Sequence, residues 1–312
     1  MKRFDVVTVG LQTLDLVVPG VLDEKIFTRD LTLVDGVQLL PGGDALNEAI
    51  VLSQLGARTA LVGALGNDGL GDSLLALVQS HSVTAYEQRV DAPTALSIIL
   101  LDAARERHFI YQPGHNLAFR YEDLDPQAVE EARIVCIGGA LALPRFDGAG
   151  TRRLLERAKA AGALTAMDLR IGNVNYDRSK LKDCLPLTDY LLPSEWEAEW
   201  LTGVQGDAPR MAAELHALGA KNCVIKLGSK GCYVSADGVE DFVASYPCRC
   251  VDTTGAGDTF VGAFLYAKTR GWDVLECARF ACAAGSIAVE HKGANQAITG
   301  PEQVLARMRG EL

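Results

Sequence analysis

Val251-Asp252-Thr253-Thr254-Gly255-Ala256-Gly257-Asp258-Thr259 runs directly into an apolar helical stretch near the end of this 312-residue chain. Gly255, Ala256 and Gly257 put no bulk over their backbone N–H groups, which point out of the start of that helix. Such a terminus is a ready anion site. Asp258 sits at its rim, where a base can take a proton from a hydroxyl while the amides hold a phosphoryl group. The segment suggests phosphoryl transfer to an alcohol.

Upstream of this turn, strand-like and helical runs alternate. Residues 6–9, 60–65, 134–137, 164–168, 190–192 and 223–226 read as strands, and residues 44–55, 70–80, 151–161 and about 210–218 as amphipathic helices. Gly56, Gly162 and Gly219 each follow a helical run, where a C-terminal cap belongs. This pattern predicts one α/β domain over residues 1–312, a mostly parallel sheet with helices on both faces. Two segments break the rhythm. Leu14-Asp-Leu-Val-Val and Leu31-Thr-Leu-Val-Asp-Gly-Val-Gln-Leu alternate as strands do, and residues 96–101 and 108–111 flank a polar turn at 103–107 as a hairpin would. They predict a small β-layer over about 14–40 and 92–117, able to act as a lid.

Apolar residues make up 48% of the chain, enough for a sizeable core, and the net charge of −10 with no basic stripe argues against nucleic-acid or anionic-membrane partners. No apolar stretch approaches membrane-spanning length. The eight cysteines, at 136, 184, 223, 232, 248, 250, 277 and 282, form no Cys-x-x-Cys pair. They read as buried, reduced thiols of a cytoplasmic protein. There is no P-loop, and Gly10-Leu-Gln-Thr-Leu-Asp15 lacks the close glycines of a dinucleotide fingerprint. Phe146-Asp147-Gly148 imitates the magnesium tripeptide of protein kinases without a catalytic His-Arg-Asp, so it reads as a turn.

A second glycine-rich element stands far upstream: Pro41-Gly42-Gly43-Asp44-Ala45-Leu46-Asn47-Glu48-Ala49. The paired glycines permit close approach of a ligand, Asp44 can cap the helix behind them, and Asn47 can present its amide to a sugar hydroxyl. Together the two elements resemble the signatures of the ribokinase-like (PfkB-type) carbohydrate kinases, an early Gly-Gly-x-x-x-Asn and a late Asp-Thr-x-Gly-Ala-Gly-Asp. The resemblance runs nearly the whole chain. It takes in Asp15, Gly63-Ala-Leu-Gly-Asn-Asp68, Pro193-Ser-Glu-Trp-Glu197, Leu201-Thr-Gly203, Lys226-Leu-Gly-Ser-Lys-Gly231 and Gly293-Ala294.

The resemblance implies a three-layer α/β/α sandwich with a β-lid and an ATP-dependent kinase acting on a sugar hydroxyl. Asp258 is then the general base, with Gly255, Ala256 and Gly257 forming the anion hole. Magnesium is implied with ATP, and Glu197 matches the family glutamate that acts on it through water; Ser194 departs from the family's Asn. Ribokinases proper place a Lys after the paired glycines, where this chain has Asp44. Arg170, in Asp168-Leu-Arg170, is the substitute cation for the transferring phosphoryl group. Lys226, Gly228 and Gly231, with Ala281 and Gly285 on a small-residue helix, are nucleotide-side candidates. A potassium-type ion is a further candidate, with Asp252, Thr254 and Gly293 as its ligands. Sugar selection falls to Asp15, Gly42, Gly43 and Asn47, with Arg107 and Asn116 at the lid.

Structural readings stand beside these: Asp258 as a helix cap, Asp15 as a turn residue, Arg170 in a surface salt bridge, and Glu195, Glu197 and Glu199 as solvated charges at a helix start. A nucleoside kinase of the same fold and a catalytically silent sugar-binding regulator are the rival functions. Exposed apolar lid strands would be better paired, which predicts a homodimer through the lids.

Overall fold

Phe4–Gly10 forms strand β1, buried along almost its whole length, as a central strand covered on both faces has to be. The computed structural model describes residues 2–21, 24–102, 107–171 and 177–312, without the side chains of residues 19–21, 24, 27, 101 and 107. The strands that follow are β2 (Thr13–Val21), β3 (Gln38–Gly42), β4 (Thr59–Gly66), β5 (Thr84–Val90), β6 (Leu96–Leu101) and β7 (Arg107–Gln112). Then come β8 (Ala132–Ala140), β9 (Leu164–Leu169), β10 (Tyr190–Leu191), β11 (Cys223–Lys226), β12 (Cys232–Ala236) and β13 (Val239–Val243). The helices are α1 (Asp44–Gln54), α2 (Gly69–Ser80), α3 (Pro126–Glu130), α4 (Ala149–Ala160), α5 (Glu195–Thr202), α6 (Ala208–Ala217), α7 (Ala256–Thr269), α8 (Val274–Ala288) and α9 (Pro301–Met308).

Among the described residues, nine strands make one sheet in the order β13-β12-β11-β10-β9-β8-β1-β4-β5. All neighbours are parallel except β12 with β11 and β13. One face packs on α3, α4, α5 and α6 through Val129, Leu154, Leu155, Leu201 and Met211. The other packs on α1, α7, α8 and α9 through Leu52, Phe264, Phe280 and Val304. This is the three-layer sandwich that the alternation predicted. Asp68, Ser194, Asp207 and Asp273 accept backbone N–H groups at the starts of α2, α5, α6 and α8, so each start is written locally. Gly56, Gly162 and Gly219 follow their helices with positive φ, as expected.

A separate four-stranded sheet, β3-β2-β6-β7, forms the lid. Its hairpin matches the expectation, while residues 103–106 of the expected turn lie outside the described residues. The alternation of residues 31–39 makes a strand only from Gln38, because β3 pairs with residues 13–17 of β2 and residues 31–37 are irregular. Alternation alone does not form a strand without a neighbour to receive its hydrogen bonds. Asp147 is buried, and its carboxylate accepts the N–H groups of Leu141 and Leu143, so that tripeptide is a turn. Among the described residues, no helix is long and apolar enough to cross a membrane.

Candidate active site

The parallel strands β8, β9 and β11 end at a cleft of about 1150 Å³ that the lid sheet also lines. Ligand crevices in open α/β sheets lie at these carboxyl ends. From the lid come Thr13, Asp15, Ser97, Phe109 and Tyr111; from the main domain come Gly43, Asp44, Asn47, Asp168, Arg170, Glu197, Lys226 and Gly255 to Asp258.

The late turn is built as its small residues suggest. Gly255 is the N-cap of α7, with φ 70°. A Cβ there would lie 2.1 Å from the Ala294 carbonyl oxygen, so glycine is required on both counts. Ala256 N–H, expected in the anion hole, instead donates to Thr253 O at 3.3 Å. The turn closes on itself one residue early. Among the described residues, the N–H groups of Gly255, Gly257 and Asp258 have no backbone acceptor, and those of Gly257 and Asp258, inside the first turn of α7, are donors left for an anion.

Asp258, in the first turn of α7, accepts a 2.6 Å hydrogen bond from Asn47 Nδ2 on Oδ2. Asn47, expected to face a sugar hydroxyl, serves the carboxylate. Asn295, which sequence reasoning missed, donates to Asn47 Oδ1 at 2.7 Å. Burial raises the Asp258 carboxyl to about 6, and the Asp168 carboxylate adds to the rise. The Asn47 hydrogen bond and the Lys226 and Arg170 charges oppose it. Such a group is a carboxylate at neutral pH yet basic enough to accept a proton.

Lys226, at the end of β11, donates to Asp168 Oδ1 at 2.6 Å; Asp168 is buried and the Lys226 side chain largely so. Burial alone would push the ammonium pKa down, but the Asp168 and Glu197 carboxylates raise it, so the charge persists. A Cβ on Gly257 would lie 3.6 Å from Lys226 Nζ. The fixed cation thus sits beside the turn's donors. Glu197 Oε2 accepts the Ser194 N–H at 2.7 Å, and Ser194 Oγ accepts the Glu197 N–H at 3.3 Å, a reciprocal capping box. Glu197 is 8% exposed and raised to about 7 by burial, with the Lys226 charge opposing the rise. It is not a solvated surface charge. One carboxylate oxygen lies outside the capping box.

The early glycines also differ from expectation. Gly43, with φ 91°, is itself the N-cap residue of α1, and Asp44 is the first helical residue without a capping bond. Asp44 is 4% exposed and pairs at 3.5 Å with Arg170, an otherwise exposed side chain. Arg170 is therefore both at the cleft and in a salt bridge. Gly42 does not line the cleft; a Cβ on it would lie 2.3 Å from Asp15 Oδ2, so Gly42 makes room for Asp15.

Other candidates separate. Gly228, Gly231 and Gly285 line the cleft, with Cys282 and Ser286 beside Gly285. Ala281 is buried in the core on another face of α8. Asn116 is buried behind Tyr111, donating to the Gln12 carbonyl at 2.8 Å and to the Tyr111 hydroxyl at 3.3 Å. Proximity in sequence to the hairpin does not bring it to the cleft. The Arg107 side chain lies outside the described residues. Asp252 accepts the N–H groups of Thr254 at 3.0 Å and Gly293 at 2.8 Å, so the three cation candidates do meet, with both carboxylate oxygens engaged. All eight cysteines are free thiols; Cys248 and Cys250 are exposed, against the expectation of buried thiols throughout.

A family profile described as "pfkB family carbohydrate kinase" matches residues 4–299. The chain is 31% identical to Fructokinase-2 of Solanum habrochaites over 286 residues, which cover 86% of this chain and 87% of that protein. A structure of Arabidopsis thaliana ribokinase complexed with ribose and ATP superposes with a TM-score of 0.84 at 28% identity, over 98% of this chain and 99% of that one. A putative ribokinase II from E. coli in complex with ATP and Mg²⁺ shares the fold, with a TM-score of 0.83 at 21% identity over 98% of this chain and 99% of that one.

Proposed function

The chain belongs to the pfkB family of carbohydrate kinases, and from that premise we propose that it transfers the γ-phosphoryl group of ATP to a hydroxyl of a monosaccharide or sugar acid, with Asp258 as general base. The observation that carries this reading is the Asp258 carboxylate, held by Asn47 next to two N–H donors and the buried Lys226 ammonium. The base, the anion donors and the cation stand where one hydroxyl and one phosphoryl group can meet.

Asp15 and Asn47 orient the sugar, since a carboxylate accepts from adjacent hydroxyls. Asp258 takes the proton of the attacking hydroxyl. The N–H groups of Gly257 and Asp258 hold the transferring group, and Lys226 and Arg170 offset its charge. Gly228, Gly231 and Gly285 line the nucleotide side. Lid closure excludes water and so limits hydrolysis of ATP. Magnesium fits the donor set. The buried Glu197 carboxylate, with one oxygen outside its capping box, suits an ion that takes one or two carboxylates plus waters and substrate phosphates. Glu197 is the carboxylate that would hold it through water, and the ion would neutralise phosphate charge. The carbonyls beside Asp252, Thr254 and Gly293 are the place for a potassium-type ion.

The test is ADP release from MgATP with a panel of sugars, sugar acids and nucleosides, run with and without K⁺, beginning with D-fructose and D-ribose. Turnover of a sugar supports the reading. Turnover of nucleosides alone would move the chain to a nucleoside kinase, and none at all to a sugar-binding regulator.

The pH profile supplies a second check. The folded carboxyl of Asp258 is raised to about 6, and only its ionised form accepts a proton. kcat/KM for the acceptor should therefore climb through about pH 6 and be lost below it; a flat profile from pH 5 to 8 would exclude Asp258 as the titrating base.

The lids support a homodimer. β3 and β7 are the edges of the lid sheet, and Leu39, Phe109, Ile110 and Tyr111 on them are exposed. Sedimentation should give a mass twice that of one chain, and a monomer would dismiss this contact.

A further inference from the structure

Asn295 stands outside the two glycine-rich elements, yet it is 4% exposed and its amide reaches the Asn47 side chain that holds the base. Its Nδ2 donates to the Pro41 carbonyl at 3.1 Å and to Asn47 Oδ1 at 2.7 Å. A backbone carbonyl only accepts, so the Asn295 atom facing Pro41 has to be the amide nitrogen. That nitrogen in turn selects the oxygen of Asn47. The Asn47 nitrogen is left to face Asp258 Oδ2, at 2.6 Å. Gln54 Nε2 donates to the Asn295 backbone carbonyl at 2.8 Å and steadies the segment. The direction of each bond is set from Pro41 outward, through two amides, to the carboxylate.

We propose that Asn295 is a positioning residue: through Asn47 it commits one oxygen of Asp258 to accepting a hydrogen bond and leaves the other to receive the substrate's proton. The proposal rests on Asp258 being the base. Because Pro41 belongs to β3, the same relay ties the base to the root of the lid. With Asn295 gone, the Asn47 amide is free to turn over and present its oxygen to the carboxylate. Asp258 would then lose the donor that favours its ionised form.

Charged groups face Asp258 from every side. Asp44 and Glu48 come from α1, Asp168 and Arg170 from β9 and its end, and Lys226 from β11. Asn295 is uncharged, so an Asn295→Ala change removes a donor and leaves all of these in place.

The experiment follows the Asp258 carboxyl carbon by ¹³C NMR against pH, with the resonance assigned by its loss in Asp258→Asn. In Asn295→Ala the titration midpoint should rise by about one unit, and turnover of the acceptor found in the panel should fall about 10-fold with KM for ATP within about twofold of wild type. In an Asn47→Ala background, Asn295→Ala should shift the midpoint no further, because the relay is already cut. Asn295→Leu, uncharged and of similar size, gives the same reading of the midpoint if the alanine variant does not fold. A purely structural role lowers the unfolding temperature and leaves the midpoint where it was. An unmoved midpoint in a folded variant, an equal shift in the Asn47→Ala background, or failure of both variants to fold each overturns the proposal. Failure of the base assignment shows separately, as an active Asp258→Asn enzyme.

Discussion

Asp258→Asn should lower kcat by a factor on the order of 10²–10⁴ while the fold persists. Asparagine keeps the shape of the side chain and still fills its place at the start of α7. It cannot take a proton from a hydroxyl. Its stability should not suffer, because burial and the Asp168 carboxylate both work against an ionised group at this position. At pH 8 the variant should unfold at or above the wild-type temperature. The folded carboxyl titrates above its unfolded value, so the stability it lends is present at low pH and lost as pH rises through about 6. Near-normal turnover with an unchanged fold would remove Asp258 from the chemistry.

Lys226→Met should be costly in both stability and rate. The ammonium is the near partner of Asp168, which is 2% exposed. Taking away one member of a buried pair strands the other charge, at about 3–5 kcal/mol. Denaturant unfolding would show this as a lower midpoint with unchanged slope. Replacing Asp168 as well, with Leu, should recover most of that loss, since apolar pairs of similar volume commonly match buried ion pairs. Turnover should not recover with it. The cation beside Gly257 would still be missing where charge develops, an effect commonly about 3 kcal/mol in the barrier. A Lys226→Met enzyme of wild-type stability and rate would contradict the placement of this charge.

The sandwich could be read because its signals are local. Continuous apolar runs such as residues 60–65 mark strands covered on both faces, and glycines follow the helices where a positive φ is needed. The turn at Gly255 could be read for the same reason: conformation and crowding both demand small residues within a few positions of each other.

Pairings across long stretches of sequence carried no such signal. Arg170 meets Asp44 across 126 residues, and Asn295 meets Asn47 across 248. Asp44 reads as a cap because an Asp before a helix normally is one. Here Gly43 takes the N-cap position, α1 begins with Asp44, and the Asp44 side chain pairs with Arg170. Ala281 was placed on the nucleotide side by composition alone. The helix turns Cys282, Gly285, Ser286 and Val289 to the cleft, a set spaced by three and four, and position 281 points into the core. Only the packing direction of α8 distinguishes the two faces. Residues 31–37 show the converse, a strand pattern that pairs with no strand among the described residues.

The most direct measurement is a crystal structure with a non-hydrolysable ATP analogue, Mg²⁺ and the acceptor sugar. The terminal phosphate should accept the N–H groups of Gly257 and Asp258 near Lys226, with a sugar hydroxyl on the Asp258 carboxylate. A terminal phosphate bound away from this turn, or a sugar with no hydroxyl within reach of Asp258, would contradict the account.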